Sequence, residues 1–529
     1  MKSKVIRDAG YYLRIIFRRD RIRLILWPLL FVVLLVYSAW SLVDMLPNQA
    51  AIETEAEILK NPFSIATSGP GYGLDAPNLG VIFAHKSFLP FAVVVAVMSI
   101  SLTVRYTRRE ESAGYSELFR STALNRHAGN LSALLIVTGF NLVIWLLSAV
   151  GLSALGIDSI TSHGSFLFGA ALAGVGLTFM GVAALASQFA ASPRSATMLS
   201  VVILALFFGI RAIGDLGPRA LSWFSPLGWA QATQPYANET WLPLLLCLIC
   251  AAGLVLLAFR LSEKRDFGAG LIRPQERKET VSKGLLSPHG LAFRLQRGSL
   301  IGWMAGMAVF AIAFGTLTGI VVEYMNDPNA FLLGVKFVDE FFARMLQFIA
   351  FGVALYGITS MSWLNREEKD THLELVVSTN TTRRQWFFSH SLIAIAGSAA
   401  MIVLASLFLG LASAGTTGDG AAFPRILLAG ISYIPAVWAV IGIAALVYGF
   451  VRKAGVLPYI VLVYSLVLSL FASGQSIIPG WMLWLSPFGK LPFVPYESFR
   501  PTPVLLLLGI GILFVTAGFL GFRGRDVKE

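Results

Sequence analysis

The chain carries one charged sequence twice. Residues 109–126 read REESAGYSELFRSTALNR and residues 366–383 read REEKDTHLELVVSTNTTR, aligned without a gap at an offset of 257. Glu110 and Glu117 are seven apart, as are Glu367 and Glu374, so each pair shares one face of a helix. Glu111 and Glu368 follow the first acid of each copy, and Leu118 and Leu375 follow the second. Acids at fixed spacing beside one leucine read as a docking surface for something soluble. A solvated loop is the ordinary reading of a charge run, but it needs no such spacing, least of all twice. Ser121-Thr122 and Ser378-Thr379 can cap the helix that follows each copy.

Other reactive side chains offer little chemistry. Cys247 and Cys250, in CLIC, have redox-motif spacing, but their neighbours are apolar and they read as buried, inert thiols. The six histidines show no i, i+4 metal spacing, so no metal site is expected. GVIFAHKS (80–87) is the nearest approach to a phosphate-cradling Walker A loop, with His85 in place of its second glycine. No Ser/His/Asp set converges. The chain is therefore not expected to be an enzyme.

The elements that must hold the charged copies are apolar. The 529 residues are 56% hydrophobic and 13% charged, about half the charge of an ordinary soluble domain. Twelve apolar runs approach the roughly 20 residues a spanning helix needs: 24–43, 87–104, 129–152, 166–188, 197–213, 241–259, 299–321, 342–363, 387–413, 426–450, 455–473 and 501–521. The first is too long for a signal peptide and lacks a small-residue cleavage site, so it reads as a retained span. With the N-terminus inside, 32 of the 41 Lys and Arg fall on inner segments, which carry net +17 against −5 outside. That asymmetry predicts both termini in the cytoplasm. It explains the basic balance through topology and anionic headgroups, without nucleic acid.

Two further pairs follow the repeat. WFSPLG (223–228) matches WLSPFG (484–489) at offset 261, and Arg194-Ser-Ala matches Arg452-Lys-Ala at 258. The expected fold is thus an all-α polytopic membrane protein of twelve helices in two parallel six-helix repeats. The halves are 1–259 and 291–529, joined by a polar cytoplasmic linker at 260–290. Each opens with a basic amphipathic lead-in, YYLRIIFRRDRIR (11–23) or LAFRLQR (291–297), expected to lie in the interface plane. In the seventh span, Gly302-x-x-x-Gly306 and Gly315-x-x-x-Gly319 predict close helix packing. The longest outer segment, 44–86, includes AIETEAEILKNPF, which reads as a short helix.

Six-plus-six spans, the lead-ins, the EE…EL..ST…R segment and SPLGW…PY resemble the single-chain ABC exporter permeases. The likeness is closest to the actinobacterial exporters of polyketide antibiotics and other drugs. The resemblance implies that each charged segment is a coupling helix seated in one of two copies of a cytoplasmic ABC ATPase, which binds the ATP and Mg. Carried over by position, Glu110, Glu111, Glu117 and Leu118 serve one ATPase, and Glu367, Glu368, Glu374 and Leu375 the other. Ala123 and Asn380 stand where many members of that family have Pro. The implied setting is the bacterial cytoplasmic membrane.

The middles of the spans contain no Asp, Glu, Lys or Arg, which favours a hydrophobic or amphipathic small-molecule substrate and offers no proton relay. His390 reads as a satisfied polar histidine, and Glu340 with Arg344 as an outer-end salt bridge. In related exporters the second and fifth spans of each half line the pathway. Here those spans offer Phe91, Met98, Phe207, Phe208, Phe348, Phe351, Tyr356 and Tyr464. A proton-driven exporter of the same plan and a membrane enzyme acting on lipid are the alternatives.

Overall fold

A computed structural model describes residues 2–112, 128–264, 270–271, 287–325, 337–369, 381–451, 454–471 and 480–524. Every regular element among them is helical. Eleven helices are long and apolar enough to cross a membrane. The protein is a multi-pass membrane protein. It divides into two compact units, Met1–Glu276 and Arg277–Glu529.

The first unit contains α1 (Lys2–Met45), α2 (Gln49–Leu59), α3 (Pro62–Ser68), α4 (Leu79–Val104), α5 (Ala128–Ser153), α6 (Ser162–Phe189), α7 (Pro193–Leu216), α8 (Pro226–Gln231) and α9 (Leu242–Lys264). Helix α4 runs on through a π-helical turn, Arg105–Arg109, to Ser112. The segment 44–86 holds the expected short helix as α2, but it stops at Leu59 and α3 follows: Asn48 caps α2 and Asn61 caps α3, each accepting a hydrogen bond from a backbone N–H three residues on. The unit is built around α6, 89% of whose apolar window is buried, with α4 next at 61%. Asn141 of α5 and Ser99 of α4 hydrogen-bond within this core at 3.0 Å, where lipid offers no alternative partner.

Helix α1 corrects one expectation. The lead-in is not a separate element: α1 is continuous over 44 residues, with neither Gly nor Pro between Tyr11 and Trp27 to break it. Along it α1 packs on α5: Ser132 of α5 donates to the Ala9 carbonyl at 2.8 Å, Gly129 faces the Tyr12 ring, and Gly151 faces Val32 and Val36.

The second unit contains α10 (Pro288–Thr316), α11 (Thr318–Met325), α12 (Phe337–Lys369), α13 (Arg383–Thr417), α14 (Ala422–Ile431), α15 (Ile434–Phe450), α16 (Leu457–Phe471), α17 (Gly480–Leu485) and α18 (Pro501–Gly524). Of the paired glycines in the seventh span, the second pair packs. Gly315 faces Leu409 and Ala412 of α13, and Gly319 faces Thr416, while nothing lies near Gly306. Of the run 455–473, the structure describes α16 as far as Phe471, 15 residues or about 22 Å. The last two residues of the run lie outside the described residues. The cap of α13 is Thr382, in a reciprocal capping box with Gln385; Ser378 and Thr379 lie outside the described residues.

Helices α15 and α18 approach each other closely. A Cβ on Gly449 would lie 2.1 Å from the Gly518 carbonyl oxygen, and one on Gly518 would lie 2.4 Å from that of Ala445. Gly518→Val is therefore expected to force the backbones apart and cost about 1–3 kcal/mol or more. Gly509→Val, on the same helix with open space around it, is expected to be neutral. Thermal unfolding of the two purified variants compares them directly.

Candidate functional site

The first charged copy begins where α4 runs on past Val104. A π-turn adds one residue to the helical repeat and so rotates the side chains beyond it. Arg105 turns towards α1 and grips Asp20 with two hydrogen bonds, Nη2 to Oδ1 at 2.9 Å and Nε to Oδ2 at 3.3 Å. Arg108 turns the other way. It is 1% exposed, donates to Glu111 at 2.9 Å, and donates to the Ala191 carbonyl, in the link between α6 and α7, at 2.8 Å. Arg19 of α1 reaches both Asp20, at 3.2 Å, and Glu110. Arg23 lies 3.8 Å from Asp20 and its guanidinium sits 5.4 Å from the centre of the Trp27 ring. Thr107 adds a bond to Ser187 of α6 at 3.3 Å.

Such pairs, half-buried at a membrane boundary, hold elements together because separating them strands a charge. Here α1, α4 and the α6–α7 link are tied at one place, and the tie includes Glu110 and Glu111. These two acids are thus engaged inside their own unit. Glu117 and Leu118 lie outside the described residues.

The second unit has a neutral arrangement at the same register. Trp27 follows Asp20 by seven residues, and Trp303 follows Gln296 by seven. Ser360 of α12 donates to the side-chain Oε1 of Gln296, and Gln296 donates from Nε2 to His390 Nδ1 of α13 at 2.8 Å. With Nδ1 accepting, His390 is the neutral tautomer that carries its proton on Nε2. His390 is completely buried and its Nε2 finds no partner among the described residues, so it is only half satisfied. The lead-in meets the third span as well: Ser389 bonds His289 at 2.8 Å, and Ser132, 257 positions earlier, bonds Ala9. Glu367 and Glu368 are buried at the end of α12, while Glu374 and Leu375 lie outside the described residues.

At the other end of the first unit lies a buried charge. Arg211 of α7 has no exposed surface. It donates to Asp215 Oδ2 at 2.8 Å, to Gln231 at 3.4 Å and to the Ala66 carbonyl of α3, and its guanidinium lies 5.0 Å from the centre of the Phe208 ring. Ser222 donates to the second Asp215 oxygen at 2.6 Å, and Gln231 donates to the Ser68 carbonyl at 2.6 Å. Ser64 with His85 at 3.1 Å and Lys86 with Glu55 at 2.8 Å add two further ties between the outer segment and α4. The cleft beside this clasp is lined by Tyr72, Asp215, Arg219, Trp223 and Gln231. Burial, and then the Asp215 charge, hold the Tyr72 phenol above its ordinary pKa, so it stays neutral.

A family model described as "Multidrug efflux system permease Rv1217c, C-terminal domain" matches residues 13–261 and 285–523. The multidrug efflux system permease protein Rv1217c of Mycobacterium tuberculosis (strain ATCC 25618 / H37Rv) is 34% identical over 527 residues, 98% of this chain and 94% of that protein. The chain belongs to this family of multidrug efflux permeases.

In this permease the aromatics expected along a pathway are largely used for packing within their own unit. Phe91 meets Phe31 edge-on at 5.3 Å, Phe207 meets Phe179 at 6.4 Å, and Phe208 lies against Arg211. Phe351 packs on Phe488 at 4.4 Å, and Tyr356 is 1% exposed. Tyr464 donates to the Met482 carbonyl at 3.0 Å. Met98 and Phe348 are half-buried. Glu340 and Arg344 pair at 3.2 Å, as their spacing predicts. Cys247 is buried, Cys250 partly so, and both are free thiols.

Sequence reasoning passed over Asp20, Arg105, Arg108, Arg211 and Asp215. Arg211 and Asp215 carry a signal, an i, i+4 acid–base pair at the end of an apolar run, which marks an intramembrane ionisable site worth a partner search. Nothing local marks Arg105, whose partner Asp20 lies on α1, or the second partner of Arg108, the Ala191 carbonyl beyond α6.

Proposed function

We propose that this permease is the transmembrane subunit of an ATP-driven ABC exporter that moves hydrophobic or amphipathic compounds out of the cell. On this reading it sits in the bacterial cytoplasmic membrane with both termini inside. Two copies of a separate ATPase bind ATP and Mg, dock on the two charged segments and drive the switch between inside-open and outside-open states. The observation that carries the proposal is the junction at Arg105–Glu111. A segment meant to transmit force must be fastened to the spans it moves, and the first charged copy is fastened to α1, α4 and the α6–α7 link as it begins. The charged repeat itself supports two equivalent sockets. The family match breaks between 261 and 285, within the expected linker, which supports the two-half plan.

The test is copurification. The full chain, purified in mild detergent from its own host, is expected to retain an ABC ATPase at about two per permease. Glu117→Arg with Glu374→Arg is expected to lose it while leaving the permease monodisperse. Absence of an ATPase, or its full retention by the double variant, would overturn the proposal.

A proton-driven mechanism has one observation in its favour, the buried His390 with an unpartnered Nε2. Glutamine keeps a hydrogen-bonding side chain there but cannot titrate. Under the ATP-driven reading, His390→Gln is expected to change efflux less than threefold. Efflux that collapses in this variant, and persists in ATP-depleted cells with a proton gradient, would favour the alternative.

A further inference from the structure

The inner junction leaves a set of arginines unused. Arg7, Arg14, Arg18 and Arg21 follow one another on α1 at intervals of seven, four and three, which places them on one face of the helix. All four are exposed and form no ion pair with any described residue. The opposite face is the packed one: Asp8, Tyr12, Ile16 and Asp20, each four residues from the next, are all buried. Asp20 is held there by Arg105, so the acids of this stretch are turned away from the arginine stripe.

Apolar side chains flank the stripe. Tyr11, Ile15 and Ile22 are 56%, 44% and 72% exposed. They continue a line of exposed residues that runs up the same helix through Ile25, Leu29 and Val33 in the apolar span. One face of a continuous helix thus passes from bare hydrocarbon to arginines edged by aromatic and aliphatic groups. That is the arrangement of an interfacial helix, with rings and aliphatics at acyl depth and guanidiniums among headgroups.

We infer that the Arg7–Arg14–Arg18–Arg21 stripe is a binding surface for anionic phospholipid headgroups of the inner leaflet. The guanidinium forks match phosphate oxygens, and four cations that pair with no described acid select negative over zwitterionic lipid. An acidic protein surface would also suit four cations. Continuity with the lipid-facing side of the same helix favours lipid. The inference does not depend on how transport is powered.

The probe is an equimolar mixture of phosphatidylglycerol and phosphatidylcholine in detergent, offered to the purified full chain and read by native mass spectrometry. The wild-type chain is expected to retain phosphatidylglycerol preferentially, with the preference falling as ionic strength rises. Arg7→Gln, Arg14→Gln, Arg18→Gln and Arg21→Gln together are expected to cut the preference at least tenfold, and each alone about fivefold or less. The four Arg→Lys changes keep the charge and are expected to keep most of the preference. If the combined glutamine variant does not purify, the four single variants and the lysine variant decide the matter. An unchanged preference in any set of glutamine variants that purifies overturns the inference. So does a set that keeps the preference but loses a bound protein, which would make the stripe a protein-docking face.

Discussion

An Arg211→Met chain is expected to lose about 3–5 kcal/mol of stability, because the carboxylate of Asp215 would stay buried without its counter-charge. The damage should be local before it is global. Arg211 also holds the Ala66 carbonyl, so the outer segment 48–68 should exchange its amide hydrogens faster, while α6 keeps its protection. Arg211→Met with Asp215→Leu removes both charges and is expected to recover a large part of the loss. Thermal unfolding and hydrogen exchange of the purified chains provide the readings. If the double variant is no better than the single, the pair does not act as a compensated unit and the clasp rests on packing alone.

Asp20→Arg should be comparably severe. It places a fourth cation among Arg19, Arg23 and Arg105 at a site that is 8% exposed. Drug efflux is expected to fall at least tenfold, with a lowered unfolding temperature. Exchanging the partners, Asp20→Arg with Arg105→Asp, restores an opposite-charge pair in the same place. A coupling of about 0.5–3 kcal/mol in the double-mutant cycle is the expected result. Zero coupling would mean that Arg105 and Asp20 are neighbours without being partners.

The two clusters show why part of the site was legible and part was not. The charged repeat could be read because it is local: residues seven apart on one helix announce a shared face. The same locality made Glu340 with Arg344 readable, and the short helix after Met45. The engagement of Glu110 depends on Arg19, 91 positions earlier, and that of Arg108 on a carbonyl 83 positions later. No spacing rule reaches so far. The π-turn at Arg105 was equally hidden, since neither glycine nor proline marks it. Gly315 and Gly306 show the limit from the other side. Both sit in the same four-residue pattern, and only the one that meets α13 packs.

The sequence by itself determined that this is a helical membrane protein, roughly where its spans lie, and that one charged device occurs twice. Those properties follow from hydropathy over some twenty residues and from side-chain periodicity, which any stretch of chain carries with it. Tertiary structure alone decided which charges neutralise which, which glycines bring helices together, and that the lead-in of α1 is an unbroken continuation of its span. In lipid, apolar surface exerts little pull between helices, so contacts are chosen by backbone fit and by the few polar groups that must find one another. Those choices are made between segments far apart in the chain, and only the folded arrangement reveals them.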